Sequence, residues 1–342
     1  MIRVAVIGAG HWGPNLINNF STSGRSEVRY VVDVDADRCA AVRERFPSVK
    51  TSSDLGVALE DDELDAVVIA TPTQTHFELA HQALLAGKHV LVEKPLTDSS
   101  QTSLQLCQLA EKVGKVLMVG HVFLYNNAAQ RVKRSIEEGE LGRIYYLSMV
   151  RTNLGPIRVD VDAAWDLAAH DISLANFWLD SSPLSAAASG GGFINSGIAD
   201  VVFATLRYPG DILVNLHASW LNPRKAREIT VVGDQKMLTF DDTSAETPVR
   251  IYDKQVLAEQ THPEFVDSFS SFRMSVKEGK MEEPSIAKGE PLRNECEHFL
   301  DCIEGNAIPV SGGMEALSVV RVLEAISKSM ATQGREVRVG SQ

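Results

Sequence analysis

Residues 3–13 read Arg-Val-Ala-Val-Ile-Gly-Ala-Gly-His-Trp-Gly, an apolar strand running into the pattern G-x-G-x-x-G. The glycines are Gly8, Gly10 and Gly13. Each meets a separate physical need when a dinucleotide pyrophosphate sits against a helix N-terminus. The first permits a tight turn, the second lets backbone approach phosphate, and the third lets the helix pack close to the strand. The surroundings agree: Leu16, Ile17 and Phe20 carry a helical pattern, and a second strand over 27–32 ends at Asp33. Asp33 lies 20 residues (33 − 13) past Gly13, near the spacing at which an acid takes the ribose hydroxyls. The competing reading is a glycine-rich turn in some other α/β protein.

The rest of the first third alternates strand and helix. Short apolar runs predict strands at 2–7, 28–32, 66–70, 89–92 and 116–119, as expected for parallel strands buried on both faces. Helical patterns lie at 14–20, 36–46, 76–86 and 100–113, with Pro14 in a first turn and Gly87 at a helix stop. This alternation predicts a doubly wound α/β domain over 1–120.

From about His121 the pattern changes. A helix over 127–138, capped by Asn126, is followed by a strand at 143–150 and a helix at 165–179. Strands follow at 198–208, 212–220, 228–232, 236–240 and 249–252, with turns at Pro209-Gly210 and Gly233-Asp234. Residues 257–290 read as loop, 291–304 and 314–332 as helices, and 336–339 as a last strand. These residues predict a second, α+β domain over 121–342, with a large, mostly antiparallel sheet covered on one face by helices.

The chain of 342 residues is 44% hydrophobic with a net charge of −12, which argues against general nucleic-acid binding and against anionic membrane surfaces. No apolar run approaches the length of a membrane span, and the N-terminus lacks a signal-peptide layout. Cys39, Cys107, Cys296 and Cys302 show no metal-ligand spacing. They read as reduced thiols of a cytoplasmic protein that binds no metal.

Two further segments carry chemistry. Glu93-Lys94-Pro95 follows a buried strand of the first sheet, and ligands bind outside the carboxyl ends of such strands. A lysine there can hydrogen-bond a substrate oxygen or join a proton relay, or the pair can be a solvated strand exit. Asp166 and His170 stand four apart on a predicted helix, so they share a face; a carboxylate beside an imidazole makes an acid/base unit, or an ordinary surface pair.

Taken in order, these segments resemble the Gfo/Idh/MocA family of NAD(P)-dependent oxidoreductases, which act on sugars, inositols and sugar nucleotides. The resemblance rests on Gly8-Ala9-Gly10-His11-Trp12-Gly13, Ala70-Thr71-Pro72 with His76, Glu93-Lys94-Pro95, Gly120-His121 and Asp166-x-x-x-His170. It implies that Lys94 lies by the reacting carbinol, that His170 is the general acid/base, and that Asp166 orients substrate or His170. It implies a cofactor site of Gly8, Gly10, His11, Trp12, Gly13, Asp33, Thr71, Pro72, His76, Glu93 and Lys94, and places His121 with the substrate residues. It also implies a homodimer or homotetramer built through the sheet of the second domain.

The wording around 165–171, with Arg151-x-Asn153-Leu154-Gly155 upstream, is most similar to the branch that oxidises the 3-hydroxyl of UDP-N-acetylglucosamine or its uronic acid for surface glycans. Arg151, Asn153 and Arg158 are then candidates to grip the substrate, with solvent-exposed loop residues as the alternative. Asp33 repels a 2′-phosphate, which predicts NAD over NADP. Arg38 reads as a helix-surface residue. An inositol or free-sugar dehydrogenase and a non-catalytic dinucleotide sensor are the competing functions.

Overall fold

The computed structural model describes residues 1–195, 197–257 and 275–340. Six parallel strands form the first sheet: β1 (Ile2–Ile7), β2 (Ser26–Val32), β3 (Lys50–Ser52), β4 (Ala66–Ile69), β5 (His89–Glu93) and β6 (Leu117–Gly120). Their order is β3-β2-β1-β4-β5-β6, so the winding reverses between β1 and β4, where a crevice opens at the carboxyl ends of the strands. Successive side chains point to opposite faces. Val4 and Val6 therefore join one apolar cluster with Leu16 and Phe20, while Ala5 and Ile7 join another with Leu84 and Leu106. The near-continuous apolar strands are explained by these two cores, one under each helical layer. Strand β3 escapes a periodicity search because Lys50-Thr51-Ser52 has no apolar residue; it is held by backbone pairing at the sheet edge.

After β6 the chain passes through a short helical turn, Val122–Tyr125, into the helix Asn127–Glu137, whose first turn is capped by Asn126 Oδ1 accepting from the Ala128 N–H at 2.8 Å. The second sheet has nine strands: β7 (Ile144–Leu154), β8 (Ser185–Gly191), β9 (Val201–Arg207), β10 (Leu213–Ser219), β11 (Leu221–Gly233), β12 (Met237–Asp241), β13 (Val249–Leu257), β14 (Ser275–Glu282) and β15 (Val337–Arg338). The order is β14-β13-β12-β11-β7-β10-β9-β8-β15, antiparallel throughout except between β7 and β10. Leu147 and Met149 of β7 face a core shared with the helices Asn127–Glu137, Ala169–Leu179 and Gly313–Ala331. Tyr146, Phe203 and Leu213 lie on strands of the same sheet and are exposed.

Three expectations change here. Strand β8 was not expected, because Ser-Ala-Ala-Ala-Ser-Gly-Gly has low strand propensity and is formed by pairing with β9. Strand β14 replaces part of the expected loop at 257–290, and residues 258–274 of that stretch lie outside the described residues. The helix expected at 165–179 opens with a π-helical turn, Ala164–Ala168, before the α-helix Ala169–Leu179. A π turn has more residues per revolution than an α turn, so a spacing of four no longer aligns Asp166 with His170.

Candidate active site

The glycine loop joins β1 to the helix Gly13–Thr22. Gly8 has φ +94°, and a Cβ there would come within 2.6 Å of the Ala70 carbonyl oxygen at the end of β4. A Cβ on Gly13 would approach the Gly8 carbonyl oxygen to 2.1 Å, whereas one on Gly10 would meet only the Arg38 guanidinium, at 3.5 Å. Gly8 and Gly13 thus serve packing, and Gly10 leaves open space over the backbone. The helix begins without a side-chain cap and with Pro14 in its first turn. Its N-terminal N–H groups and positive dipole end are available to an anion, which fits a dinucleotide pyrophosphate. His11 is exposed at the loop tip, and the Trp12 indole N–H is buried.

Asp33, at the end of β2, is buried. Its Oδ2 accepts the Ala9 N–H at 2.7 Å and its Oδ1 the Asp35 N–H at 2.9 Å. The carboxylate therefore ties the glycine loop to the second strand. Arg38 does more than cover a helix surface: its guanidinium lies 3.6 Å from Asp33 Oδ2 and beside Gly10.

Past β4, Thr71 shares a hydrogen bond with Thr75 at 2.7 Å, and Pro72 is exposed just before the turn Thr73–Thr75. His76 is buried, with Nδ1 2.9 Å from the Pro95 carbonyl and Nε2 2.9 Å from the Thr71 carbonyl. It braces the loops after β4 and β5 against each other, so its two ring nitrogens are committed to backbone. Burial lowers its pKa. At the end of β5 the Glu93 carboxyl is packed against Gly120 and pushed up to about 7 by burial, against the pull of Lys94. The Lys94–Pro95 bond is cis.

Lys94 reaches out of the first domain into the second. Its Nζ donates to the Asp166 carbonyl at 3.0 Å and lies 3.4 Å from Asp166 Oδ1. Asp166 also accepts from Arg158 at 3.2 Å through Oδ1 and from the Trp220 indole N–H at 3.1 Å through Oδ2. Among the described residues no hydrogen bond or ion pair joins Asp166 to His170. The expected carboxylate–imidazole unit is corrected accordingly: the π turn aims Asp166 at Lys94. His170 instead packs edge-on against Phe123, with ring centroids 4.8 Å apart. Burial, then Lys94, Arg151, His121 and Arg227, hold its pKa well below the usual histidine value. The ring is neutral at neutral pH and able to accept a proton. His121 is also buried, and burial and Lys94 push it down to about 3.

Three residues expected to grip substrate stand differently. Arg151 is buried, with Nε and a terminal nitrogen donating to Asp171 Oδ1 at 2.9 and 2.7 Å; this correction reflects an acid next to His170 that no spacing rule links to residue 151. Arg158 is partly exposed and paired with Asp160 and Asp166. Asn153 lies near the end of β7, where a Cβ on Gly155 would collide with its amide. The sequence reading missed Phe123, whose ring carries Arg151 at 4.5 Å and Arg227 at 5.5 Å, and Arg227 itself, paired with Asp242 at 3.0 Å. It also missed Trp220. No local pattern marks any of the three, because they come from a helical turn, a sheet strand and the link between two strands, and the turn lies far from the other two in the chain.

The fold and this junction define a two-domain oxidoreductase with an NAD-binding Rossmann domain. Residues 2–121 match the oxidoreductase family with an NAD-binding Rossmann fold, Gfo/Idh/MocA, and residues 129–239 match the Gfo/Idh/MocA C-terminal domain. The chain belongs to the Gfo/Idh/MocA family.

It is 32% identical over 181 residues to 4-carboxy-2-hydroxymuconate-6-semialdehyde dehydrogenase of Sphingobium, an alignment spanning 51% of this chain and only 58% of that relative. It is 30% identical to UDP-N-acetylglucosamine 3-dehydrogenase of Acidithiobacillus ferrooxidans, over 70% of this chain and 74% of the relative. To inositol 2-dehydrogenase 2 of Saccharopolyspora erythraea it is 29% identical, over 63% and 66%. The solved structure of the Acidithiobacillus enzyme superposes with a TM-score of 0.80 at 26% identity, covering 96% of this chain and 98% of that one. A protein of gentamicin A biosynthesis in complex with NAD superposes with a TM-score of 0.81 at 25% identity, covering 99% and 97%. No helix among the described residues is long and apolar enough to cross a membrane.

Proposed function

We propose that this chain is an NAD-dependent dehydrogenase acting on a secondary alcohol of a sugar, most specifically the 3-hydroxyl of a UDP-N-acetylhexosamine or its uronic acid. The observation that carries the reading is the convergence of Lys94 from the first domain with Asp166 and His170 from the second. The dinucleotide supplies the hydride acceptor when bound. His170, neutral in its buried setting, takes the hydroxyl proton, and Lys94 donates a hydrogen bond to the same oxygen. Asp166 holds the Lys94 ammonium in place, and Arg158 offers a partly exposed guanidinium to a carboxylate or phosphate. Asp33 supports NAD over NADP, since a second negative group on the ribose would meet its carboxylate. The exposed Tyr146, Phe203 and Leu213 support self-association through the second sheet.

The test is NADH absorbance with UDP-N-acetylglucosamine, its uronic acid and inositols, using wild type and the double variant Lys94→Ala/His170→Ala. Turnover of a UDP-sugar that vanishes in the variant, with NAD still bound, is the expected result. Near-normal activity of the variant overturns the site assignment. Activity on inositols alone favours the second reading, which the similarity to an inositol dehydrogenase supports. NAD binding with no turnover across the panel would mark a sensor instead.

A further inference from the structure

The Arg158 guanidinium is engaged on every nitrogen. Nε and one terminal nitrogen donate to the two carboxylate oxygens of Asp160, at 2.9 and 2.5 Å. The other terminal nitrogen donates to Asp166 Oδ1 at 3.2 Å. Asp160 thus holds the two-point pairing by which a guanidinium grips a carboxylate or phosphate. An anion that is to take up this guanidinium must first displace Asp160. Asp166 Oδ1 also lies 3.4 Å from Lys94 Nζ, so Arg158 and Lys94 share one oxygen. A sugar whose hydroxyl meets the Lys94 ammonium therefore lies within a ring's width of the Arg158–Asp160 pair.

A cavity of about 410 Å³ opens at the same place. Gln74 and Asp98 line it from the loops after β4 and β5, and Asp160, Asp162, Trp165 and Ile198 line it from the second domain. Among the described residues no lysine, arginine or histidine lines it. Three carboxylates on one wall make its field negative. Asp162 is fixed there by the fold, since its Oδ1 accepts the Ala164 and Trp165 N–H groups at 3.0 Å each. The apolar surfaces of Trp165 and Ile198 suit the C–H face of a sugar, and the Gln74 amide suits its hydroxyls. A carboxylate on that sugar would meet three like charges, with the nearby guanidinium already engaged.

We propose that Asp160 is a specificity-determining residue: paired at two points with Arg158 on the wall of this cavity, it disfavours a sugar that carries a carboxylate and makes the neutral N-acetylhexosamine the preferred substrate over its uronic acid. The inference rests on the reading of the junction as a sugar-nucleotide dehydrogenase site.

NADH formation with UDP-N-acetylglucosamine and with UDP-N-acetylglucosaminuronic acid reads the preference as a ratio of kcat/KM. The diphosphate is common to both, so the ratio isolates the carboxylate. The wild-type ratio should favour the neutral sugar by about tenfold or more, the worth of one charge-assisted hydrogen bond. Asp160→Asn removes the charge and keeps the shape, so it should narrow the ratio by about tenfold through a lower KM for the uronic acid. Asp160→Glu should keep the wild-type preference. A side chain that only supported its loop would change both substrates alike. A wild-type ratio at or below one overturns the inference, as does an Asp160→Asn ratio equal to that of the wild type, and either result leaves the dehydrogenase reading standing. If Asp160→Asn fails to fold, the wild-type ratio decides alone. If neither sugar is turned over, calorimetry of both on the NADH-loaded chain reads the same preference, and the dehydrogenase reading alone fails. Binding of neither sugar defeats both.

Discussion

Replacing His121 by glutamine removes a titrating group from a fully enclosed position, and the consequence for stability can be worked out. The imidazole protonates near 6.5 in the unfolded chain and near 3 in the folded one, because burial and the Lys94 ammonium oppose its charge. The folded state therefore binds fewer protons, and stability is full above the unfolded value and falls as pH drops through 6.5 towards 3. Between pH 8 and pH 5 the unfolded state gains about 1.5 pH units of proton affinity, which is about 2 kcal/mol at about 1.4 kcal/mol per unit. Burial also lowers His76 and His170, which adds to the loss, whereas the raised carboxyls of Glu93 and Glu295 act in the opposite direction, so the whole-chain change is not the measure of His121. The comparison isolates His121. Urea unfolding of wild type and His121→Gln at both pH values should show a wild-type loss larger by about 2 kcal/mol. Equal losses would refute the argument that this ring is held neutral by its surroundings.

Other perturbations test neighbouring parts of the argument. Gly13→Ala drives a methyl group to 2.1 Å from the Gly8 carbonyl oxygen, so it should destabilise the chain by about 1–3 kcal/mol in thermal unfolding and abolish NAD binding by calorimetry. Asp33→Asn weakens the acceptor for the Ala9 N–H and should loosen NAD by about ten- to a hundredfold, while NADP is held no worse; equal losses for both cofactors count against the charge argument. Glu295 is buried, and neither carboxyl oxygen has a partner. Burial and Glu93 raise its pKa, so ionisation opposes folding as pH rises above the ordinary carboxylate value, and Glu295→Gln should raise the urea midpoint at pH 8 but not at pH 4.

The sequence by itself determined the alternating strands and helices of the first sheet, with five of its six strands placed to within two residues. Parallel strands buried on both faces must be apolar runs, and a pyrophosphate cradle needs glycines at fixed offsets, so both requirements are local and visible. Of the sheet's strands only β3 was lost, because an edge strand held by backbone pairing needs no apolar side chain, and the single-turn helix Gly56–Leu59 was not expected. The Glu93-Lys94-Pro95 and Asp166…His170 segments were legible as chemistry. Their geometry was not.

What tertiary structure alone decided was who touches whom. The π turn at Ala164–Ala168 turned Asp166 from His170 to Lys94, and Asp171 claimed Arg151 across twenty positions of chain. Phe123, Trp220 and Arg227 entered the cleft from three separate elements. A helical spacing rule fixes neighbours only while the helix keeps one hydrogen-bond register, and no rule of spacing reaches between a loop of one domain and a sheet of another. The burial that makes His170 and His121 neutral is a property of the closed junction, so it is absent from any stretch of sequence that contributes to it.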